Sequence, residues 1–173
     1  GDQYGTATVF SVSYVPTPHR FGCSVRNQGG TDESCYIGVY APDSNAPNSR
    51  WIIYESDGSA SLTELSNVTA ASDVALSAND TITCEVEGTA LRVGGDIALA
   101  TASGDTLGTS TTDDTVTGGR PGVYATEANT ARGTAWSGGD ISGGADHNLL
   151  AEDIESTSEY SRPVIGQSHV LTA

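Results

Sequence analysis

Apolar and polar residues alternate with a period of two along most of this chain, which is the pattern of half-buried β-strands. The first alternating run, YGTATVFSVS, starts at Tyr4 and places Thr6 and Thr8 on one face and Ala7 and Val9 on the other. It ends at the segment VPTP, because proline cannot donate a hydrogen bond to a sheet ladder. The same pattern predicts further strands at 19–26, 34–41, 51–56 and 60–66.

Turn residues divide the remaining strands into hairpins. Asp57-Gly58 is the strongest short hairpin signal in the chain. After a polar linker at 67–80, the stretch CEVEGTALRVGGDIALATA predicts a three-strand meander, with turns at its two glycine-containing segments. Its third strand would carry Ile97 and Leu99. A Gly/Ser/Thr/Asp-rich loop at 103–119 follows, and RPGVYAT and ARGTAWSGGDI predict the last two strands.

About ten short strands with regularly spaced turns, and no long helical period, predict an all-β protein with a sandwich or barrel fold. The residue pattern changes after Ile141, where a Gly-rich segment, called the joint, is followed by residues with no regular alternation of apolar and polar positions. We therefore expect one domain at 1–141 and an extended arm or linker at 142–173. Within the arm, 148–155 has the composition of a short helix but no clean amphipathic period.

The net charge of the chain limits the classes of molecule that it is expected to bind. There are 22 acidic residues against 7 basic ones, for a formal net charge of −15. Such a surface repels phosphate backbones, so we expect no direct nucleic-acid partner. No apolar run approaches the roughly 18 residues of a transmembrane helix, so we expect no membrane insertion.

Three cysteines are an odd number, which excludes a complete disulfide framework. Cys23 and Cys35 lie symmetrically about Gly29 in a predicted hairpin, so they are either buried free thiols or a cross-strand disulfide. Cys84 alternates with Ile82 and Val86, and we expect it to point into the core.

Several segments together resemble one known family. They are DQYGTATV, FGCSVRNQGGTDESCYIGVY, WIIYE, NDTITCEVEGTALRVGGDIALATAS and GGRPGVYA…ARGTAWSGGD, in this order between about 2 and 141. In order and spacing they resemble concanavalin A-like, laminin-G-type jelly-roll domains of the kind found in bacteriophage structural proteins and bacterial surface proteins. The resemblance implies a two-sheet antiparallel jelly-roll sandwich with the extended C-terminal arm. The tail RPVIGQSHVLTA is similar to short repeats that follow such domains in some phage virion proteins.

Aromatic residues are the candidates for binding a sugar, because pyranose faces stack on aromatic rings. Tyr36 and Tyr40 alternate with Cys35, Ile37 and Val39, which we expect to face the core. Packing in the core is the competing interpretation for every candidate, and for Trp136 as well. The candidate ligand-binding residues are Arg26, Tyr36, Tyr40, Trp51 and Tyr54.

No catalytic constellation is predicted, and we expect a non-enzymatic protein. A retaining glycosidase needs two carboxyl groups about 5–5.5 Å apart. Glu85 and Glu87 are the only close acidic pair on a strand, and we expect them to face outward as a solvated or glycan-contacting surface. The acids Glu152, Asp153 and Glu155 belong to the arm, and the three histidines have no metal-ligand spacing.

Calcium is the one cofactor that the composition raises, since clustered carboxylates suit a hard cation. The candidate ligands in the long loop are Asp105, Asp113 and Asp114. The resemblance places an aspartate just before the aromatic of the last strand in metal-binding relatives. Here that position reads Thr134-Ala135-Trp136, which weakens the calcium hypothesis.

The resemblance and the missing catalytic signature together predict a structural module of a phage or phage-like particle, such as a decoration, fibre or spike protein. Its expected partners are other virion proteins or copies of itself, contacted through the arm, and cell-surface polysaccharides. The alternative is a carbohydrate-binding module or adhesin of a bacterial surface protein, located outside the cell or on its surface. A glycan hydrolase or lyase ranks third, because its carboxylate signature is missing.

Overall fold

The alternating segments form eleven β-strands and no helix in the part of the chain that the computed structural model describes: residues 1–12, 20–29, 34–42, 49–58, 61–69, 76, 78–95, 108–125, 131–141 and 147–154. The strands are β1 Gln3–Val12, β2 Phe21–Asn27, β3 Ser34–Ala41, β4 Arg50–Asp57, β5 Leu62–Thr69, β6 Thr81–Glu87, β7 Ala90–Gly95, β8 Gly108–Thr112, β9 Arg120–Ala125, β10 Ala131–Asp140 and β11 His147–Ile154.

Two antiparallel sheets contain all of these strands. The six-stranded sheet has the order β11-β10-β1-β6-β7-β8, and the five-stranded sheet has the order β5-β4-β3-β2-β9. Strands β1 and β6 pack across β2, and β7 packs across β3 and β4, so the two sheets face each other. The predicted all-β architecture with two antiparallel sheets is confirmed.

Four local predictions fare differently. Strand β5 continues to Thr69, so the predicted linker at 67–80 begins too early. Strand β8 lies inside the predicted loop 103–119. The sequence did not predict it because GTSTT has no apolar alternation; its pairing with β7 holds it as a strand. Residues 147–154 form a strand on β10 rather than a helix. The predicted strand at Ile97 and Leu99 lies outside the described residues.

The core between the sheets is built from the inward positions of both. It contains Ile82, Cys84 and Val86, so the predicted orientation of β6 is confirmed. Gly38 lets the sheets approach closely, since a Cβ atom there would lie 2.7 Å from Val93 Cβ and 2.8 Å from Cys84 Sγ. The predicted hairpin of β4 and β5 is also confirmed, but Ser56 pairs with Leu62, so the connection is longer than Asp57-Gly58 alone. Gly58 has a φ of 83° within it.

A second apolar cluster covers the outward face of the five-stranded sheet. The prediction that Cys35, Ile37 and Val39 face the inter-sheet core is wrong, because Tyr36 and Tyr40 occupy that side of β3. Both faces of β3 are nevertheless buried. We call the outward set the outer cluster; its members are Cys35, Ile37, Val39, Ala41, Ile52, Tyr54 and Tyr124.

The three cysteines are buried free thiols, and the disulfide alternative is wrong. Cys23 pairs with Gly38 across the β2–β3 hairpin, three residues away from the symmetric register that would oppose it to Cys35. This shift also turns Cys35 onto the other face of the sheet, since successive side chains alternate sides. Cys23 and Cys84 lie in the inter-sheet core, whereas Cys35 lies in the outer cluster.

Candidate functional site

All five predicted ligand-binding side chains are buried. Their exposed fractions are 7% for Arg26, 0% for Tyr36, 2% for Tyr40, 0% for Trp51 and 5% for Tyr54. The expectation that Tyr36 and Tyr40 present their rings outward is therefore wrong. Their rings occupy the inter-sheet core because the residues between them carry the outward face of β3.

Three of the five candidates have a clear packing role. The rings of Tyr40 and Trp51 lie 5.0 Å apart between centroids at 58°, inside the inter-sheet core. Tyr54 belongs to the outer cluster, and the guanidinium of Arg20 lies 4.8 Å from its ring centroid. Burial raises the pKa of Tyr54. None of these three contributes to the group of polar residues described next.

Arg26 and Tyr36 meet at one end of the sandwich beneath a loop. We call residues 113–119 the end loop. Arg26 ends the regular part of β2 with a φ of 53° and donates from Nη1 to the Val116 carbonyl at 3.1 Å. Its Nη2 donates to the Gly88 carbonyl at 2.5 Å, and its backbone N–H donates to Gln3 Oε1 at 2.9 Å. A buried cation thus ties the end loop, the β6–β7 turn and β1 together.

Tyr36 holds the same loop from the inter-sheet core. Its hydroxyl donates to Asp113 Oδ1 at 2.5 Å and accepts from the backbone N–H of Val116 at 3.0 Å. Thr115 donates to Glu55 Oε1 at 2.6 Å and lies against Asp113 as well. Val116 itself is buried in the core. The end loop is therefore anchored by one apolar side chain and two hydrogen-bonded networks.

The pKa values at this end follow from the contacts. Burial raises the pKa of Tyr36, and its hydrogen bond to Asp113 raises it further. Burial also raises the pKa of Asp113, but hydrogen bonds from Thr115 and Tyr36 outweigh it, and the pKa lies below its ordinary value. Asp113 is therefore an ionised acceptor at neutral pH, which strengthens the bonds that it receives.

Above these anchors the end loop exposes polar groups. Asp114, Thr115 and Thr117 are exposed, and the neighbouring Gln28 donates to the Thr117 carbonyl at 3.1 Å. Gly118 and Gly119 have φ values of 76° and 115°, conformations in which an L side chain is strained. The loop can present hydroxyl, carboxylate and backbone groups to a polar ligand from a fixed backbone.

The structure does not bring the three candidate calcium ligands together as a described site. Asp105 lies outside the described residues, Asp114 is exposed, and Asp113 is engaged by Tyr36 and Thr115. No group of three or more His, Cys, Asp or Glu residues suited to a metal ion occurs within the described ranges. The calcium hypothesis stays a prediction.

Glu85 and Glu87 both bind one arginine on the outward face of the six-stranded sheet. Arg92 Nη1 lies 2.6 Å from Glu85 Oε1 and 3.3 Å from Glu87 Oε2. Glu87 is exposed as predicted, but Glu85 is only 2% exposed, so its predicted solvation is wrong. Burial raises the pKa of Glu85, and Arg92 opposes this only in part.

Cys23 and Cys84 lie in the inter-sheet core and not in the end loop. Burial raises the pKa of Cys23 well above its ordinary value and raises that of Cys84 to about 12. Because the thiolate is the reactive form, both thiols are inert while the sandwich is folded.

The residues that the sequence analysis missed are Gln3, Thr115 and Val116. Val116 carried a signal, since it is the only aliphatic side chain in the polar stretch TSTTDDTVTGG. An isolated apolar residue of this kind in a loop is a natural anchor into a core. Gln3 and Thr115 carried none, because their partners are distant in sequence.

Comparison with known proteins gives no further assignment: no family model, no curated protein and no solved structure matches this chain. Within the described residues, no helix has the length and apolar character needed to cross a membrane.

Proposed function

We propose that this chain is a non-enzymatic structural module of a phage or phage-like particle, and that it displays its end loop to host-surface glycans. The finer fold assignment is part of the proposal: a concanavalin A-like jelly roll at 1–141 and a C-terminal arm at 142–173, whose strand β11 adds to the six-stranded sheet. The resemblance of the ordered segments supports the particle assignment. The end loop supports the binding role.

The observation that carries the binding role is the anchoring of the end loop by Arg26 and Tyr36. A loop that is already ordered loses little conformational entropy on binding. Shallow contacts to a polyhydroxylated surface are weak individually, so they benefit from this saving. Display in many copies on a particle then raises the overall affinity through avidity.

The arrangement of the acidic residues supports a non-enzymatic role. Asp113 accepts hydrogen bonds from Tyr36 and Thr115, and Glu85 is paired with Arg92. Both carboxylates are thus engaged in contacts that hold strands and loops together. A general acid or nucleophile in a glycosidase would instead face its substrate across the scissile bond.

Binding is tested on an array of bacterial surface polysaccharides, with the chain immobilised densely. We expect at least one polysaccharide to bind, and Asp114→Ala with Thr117→Ala to lower the affinity at least about tenfold, roughly 1.4 kcal/mol. Tyr36→Phe changes no exposed residue but removes the hydrogen bonds of the Tyr36 hydroxyl with Asp113 and with Val116, so it should loosen the loop and weaken binding. Thr63→Ala, at an exposed position of β5, is the matched control.

Two outcomes overturn the binding role: no polysaccharide bound at any density, or equal loss in the loop and control variants. The particle assignment has its own test, which is imaging and mass measurement of the native assembly. Symmetric copies of the chain on a particle support the assignment. A free monomer in the native material refutes it, and glycan binding by such a monomer would favour the carbohydrate-binding module.

A further inference from the structure

The outward face of the five-stranded sheet is apolar across four of its strands. Ile37 and Val39 lie on β3, Ile52 and Tyr54 on β4, and Tyr124 on β9, with Leu62 of β5 packed against them. Every member of the outer cluster is 7% exposed or less, although this face turns away from the other sheet. An apolar face of this extent is stable in water only when another element covers it.

A polar atom on the same face also points to a cover. Ser24 lies on the outward side of β2, between Ile37 of β3 and Gly122 of β9 in the sheet register. Ser24 is 1% exposed, and its Oγ atom is buried without a hydrogen-bond partner. A buried hydroxyl normally has a hydrogen-bond partner, because removing it from water without one is unfavourable. With Gly22 and Gly122 beside it, Ser24 lies in a shallow trench of small residues.

We propose that residues 155–173 of this chain cover the outward face of the five-stranded sheet, with their apolar side chains on the outer cluster. Strand β11 ends close to this face of the five-stranded sheet. Ile154 pairs with Gly133 of β10, and a Cβ atom at Gly133 would lie 2.8 Å from the ring of Phe21. Phe21 pairs with Tyr40 and Ala125, so β11 ends at the same end of the sandwich as Ala41 and Tyr124 of the outer cluster.

The length and composition of the segment fit this path. The sequence continues for 19 residues beyond Ile154, which span up to about 60 Å when extended. Crossing the sandwich takes about 10 Å, and five strands are about 20–25 Å wide. The segment supplies the apolar residues Val164, Ile165, Val170 and Leu171, and backbone N–H and C=O groups that can pair with the Ser24 hydroxyl.

This proposal goes beyond the proposed function and does not depend on glycan binding. It narrows the tethering role expected of the arm, because residues that cover the sheet are not available to bind a neighbouring virion protein. Only the joint and strand β11 would then remain for such contacts.

Cysteine labelling tests the proposal, since Cys35 lies in the outer cluster while Cys23 and Cys84 lie between the sheets as internal controls. The full chain and a chain ending at Ile154 are treated with a maleimide, and labelled sites are located by peptide mass spectrometry. We expect Cys35 labelling to accelerate at least about tenfold in the shortened chain, with Cys23 and Cys84 still protected. Adding a peptide of residues 155–173 should restore protection.

A second variant guards against general unfolding of the shortened chain. The full-length chain with Val164→Asp, Ile165→Asp, Val170→Asp and Leu171→Asp should expose Cys35 in the same way, whereas Ser156→Asp with Ser158→Asp should not. Equal protection of Cys35 in the full, shortened and four-aspartate chains overturns the proposal. Protection that depends on protein concentration overturns it too, because it would assign the cover to a second copy.

Discussion

The two sheets of this sandwich present opposite chemistry on their outward faces. The six-stranded sheet carries hydroxyls and an ion pair there: Thr6 bonds to Thr83 with 2.9 Å between their oxygens, and Glu85 bonds to Arg92. The five-stranded sheet carries the outer cluster, led by Ile37 and Val39. Each sheet therefore has one face in the inter-sheet core, but among the side chains that the structure describes, only those of the five-stranded sheet are apolar on both faces.

The sequences of the strands explain this difference. In TITCEVE of β6, apolar and polar residues alternate strictly, which is the pattern of a strand with one face in the core. In SCYIGVYA of β3 and the RWIIY part of β4, the apolar residues are continuous, which is the pattern of a strand buried on both sides. A continuous run thus indicates that a further layer of covering is required.

The largest test of the comparison removes an apolar side chain from the outer cluster. Ile37→Ala should cost about 2–5 kcal/mol of unfolding free energy, as in a protein core, because Ile37 is fully buried. Thr8→Ala on the outward face of the six-stranded sheet should cost less than about 0.5 kcal/mol, since Thr8 is only half-buried. Urea unfolding followed by tryptophan fluorescence measures both. Equal losses would show that the two outward faces do not differ energetically.

Much of the fold was predictable from local patterns. Alternation and turn residues alone predict the all-β class, the hairpin at Asp57-Gly58 and the orientation of Cys84 towards the core. The face assignment of β3 did not, because in a continuous apolar run neither parity is marked as inward. The register of Cys23 also failed, since the position of the turn within the glycine-containing segment shifts every pair and exchanges the faces.

The sequence predicted individual residues of the candidate site but not that they lie together in the fold. Arg26 and Tyr36 were selected from the sequence as candidate ligand-binding residues, and Asp113 as a candidate calcium ligand. Their meeting depends on contacts between residues separated by 77 positions for Tyr36 and Asp113, and by 90 for Arg26 and Val116. Such contacts are set by the order of strands in the sheets, and local periodicity carries no information about that order.

A smaller test concerns the charge on the polar face. Burial raises the pKa of Glu85, so the folded chain binds a proton there more readily than the unfolded chain. Between the unfolded value of about 4.3 and the raised folded value, stability therefore falls as the pH rises. We expect wild type to gain stability relative to Glu85→Gln as the pH falls from 7 to about 4. Urea titrations of both proteins over this range measure it, and a difference independent of pH would contradict it.

The smallest effect belongs to the hydroxyl pair on the same face. Thr6 and Thr83 lie directly opposite each other across β1 and β6, and such a pair contributes about 0.2–1 kcal/mol. The cycle of Thr6→Val, Thr83→Val and the double variant should give a coupling energy in this range, because valine keeps the shape and removes only the hydroxyl. The cycle of Thr8→Val and Thr81→Val repeats the test one pair along. The contrary result is that each single valine variant is strongly stabilising and the coupling energy is zero. The outward face of the six-stranded sheet would then gain more stability from apolar side chains than from its hydroxyls. The two outward faces would differ in composition but not in how apolar side chains affect stability.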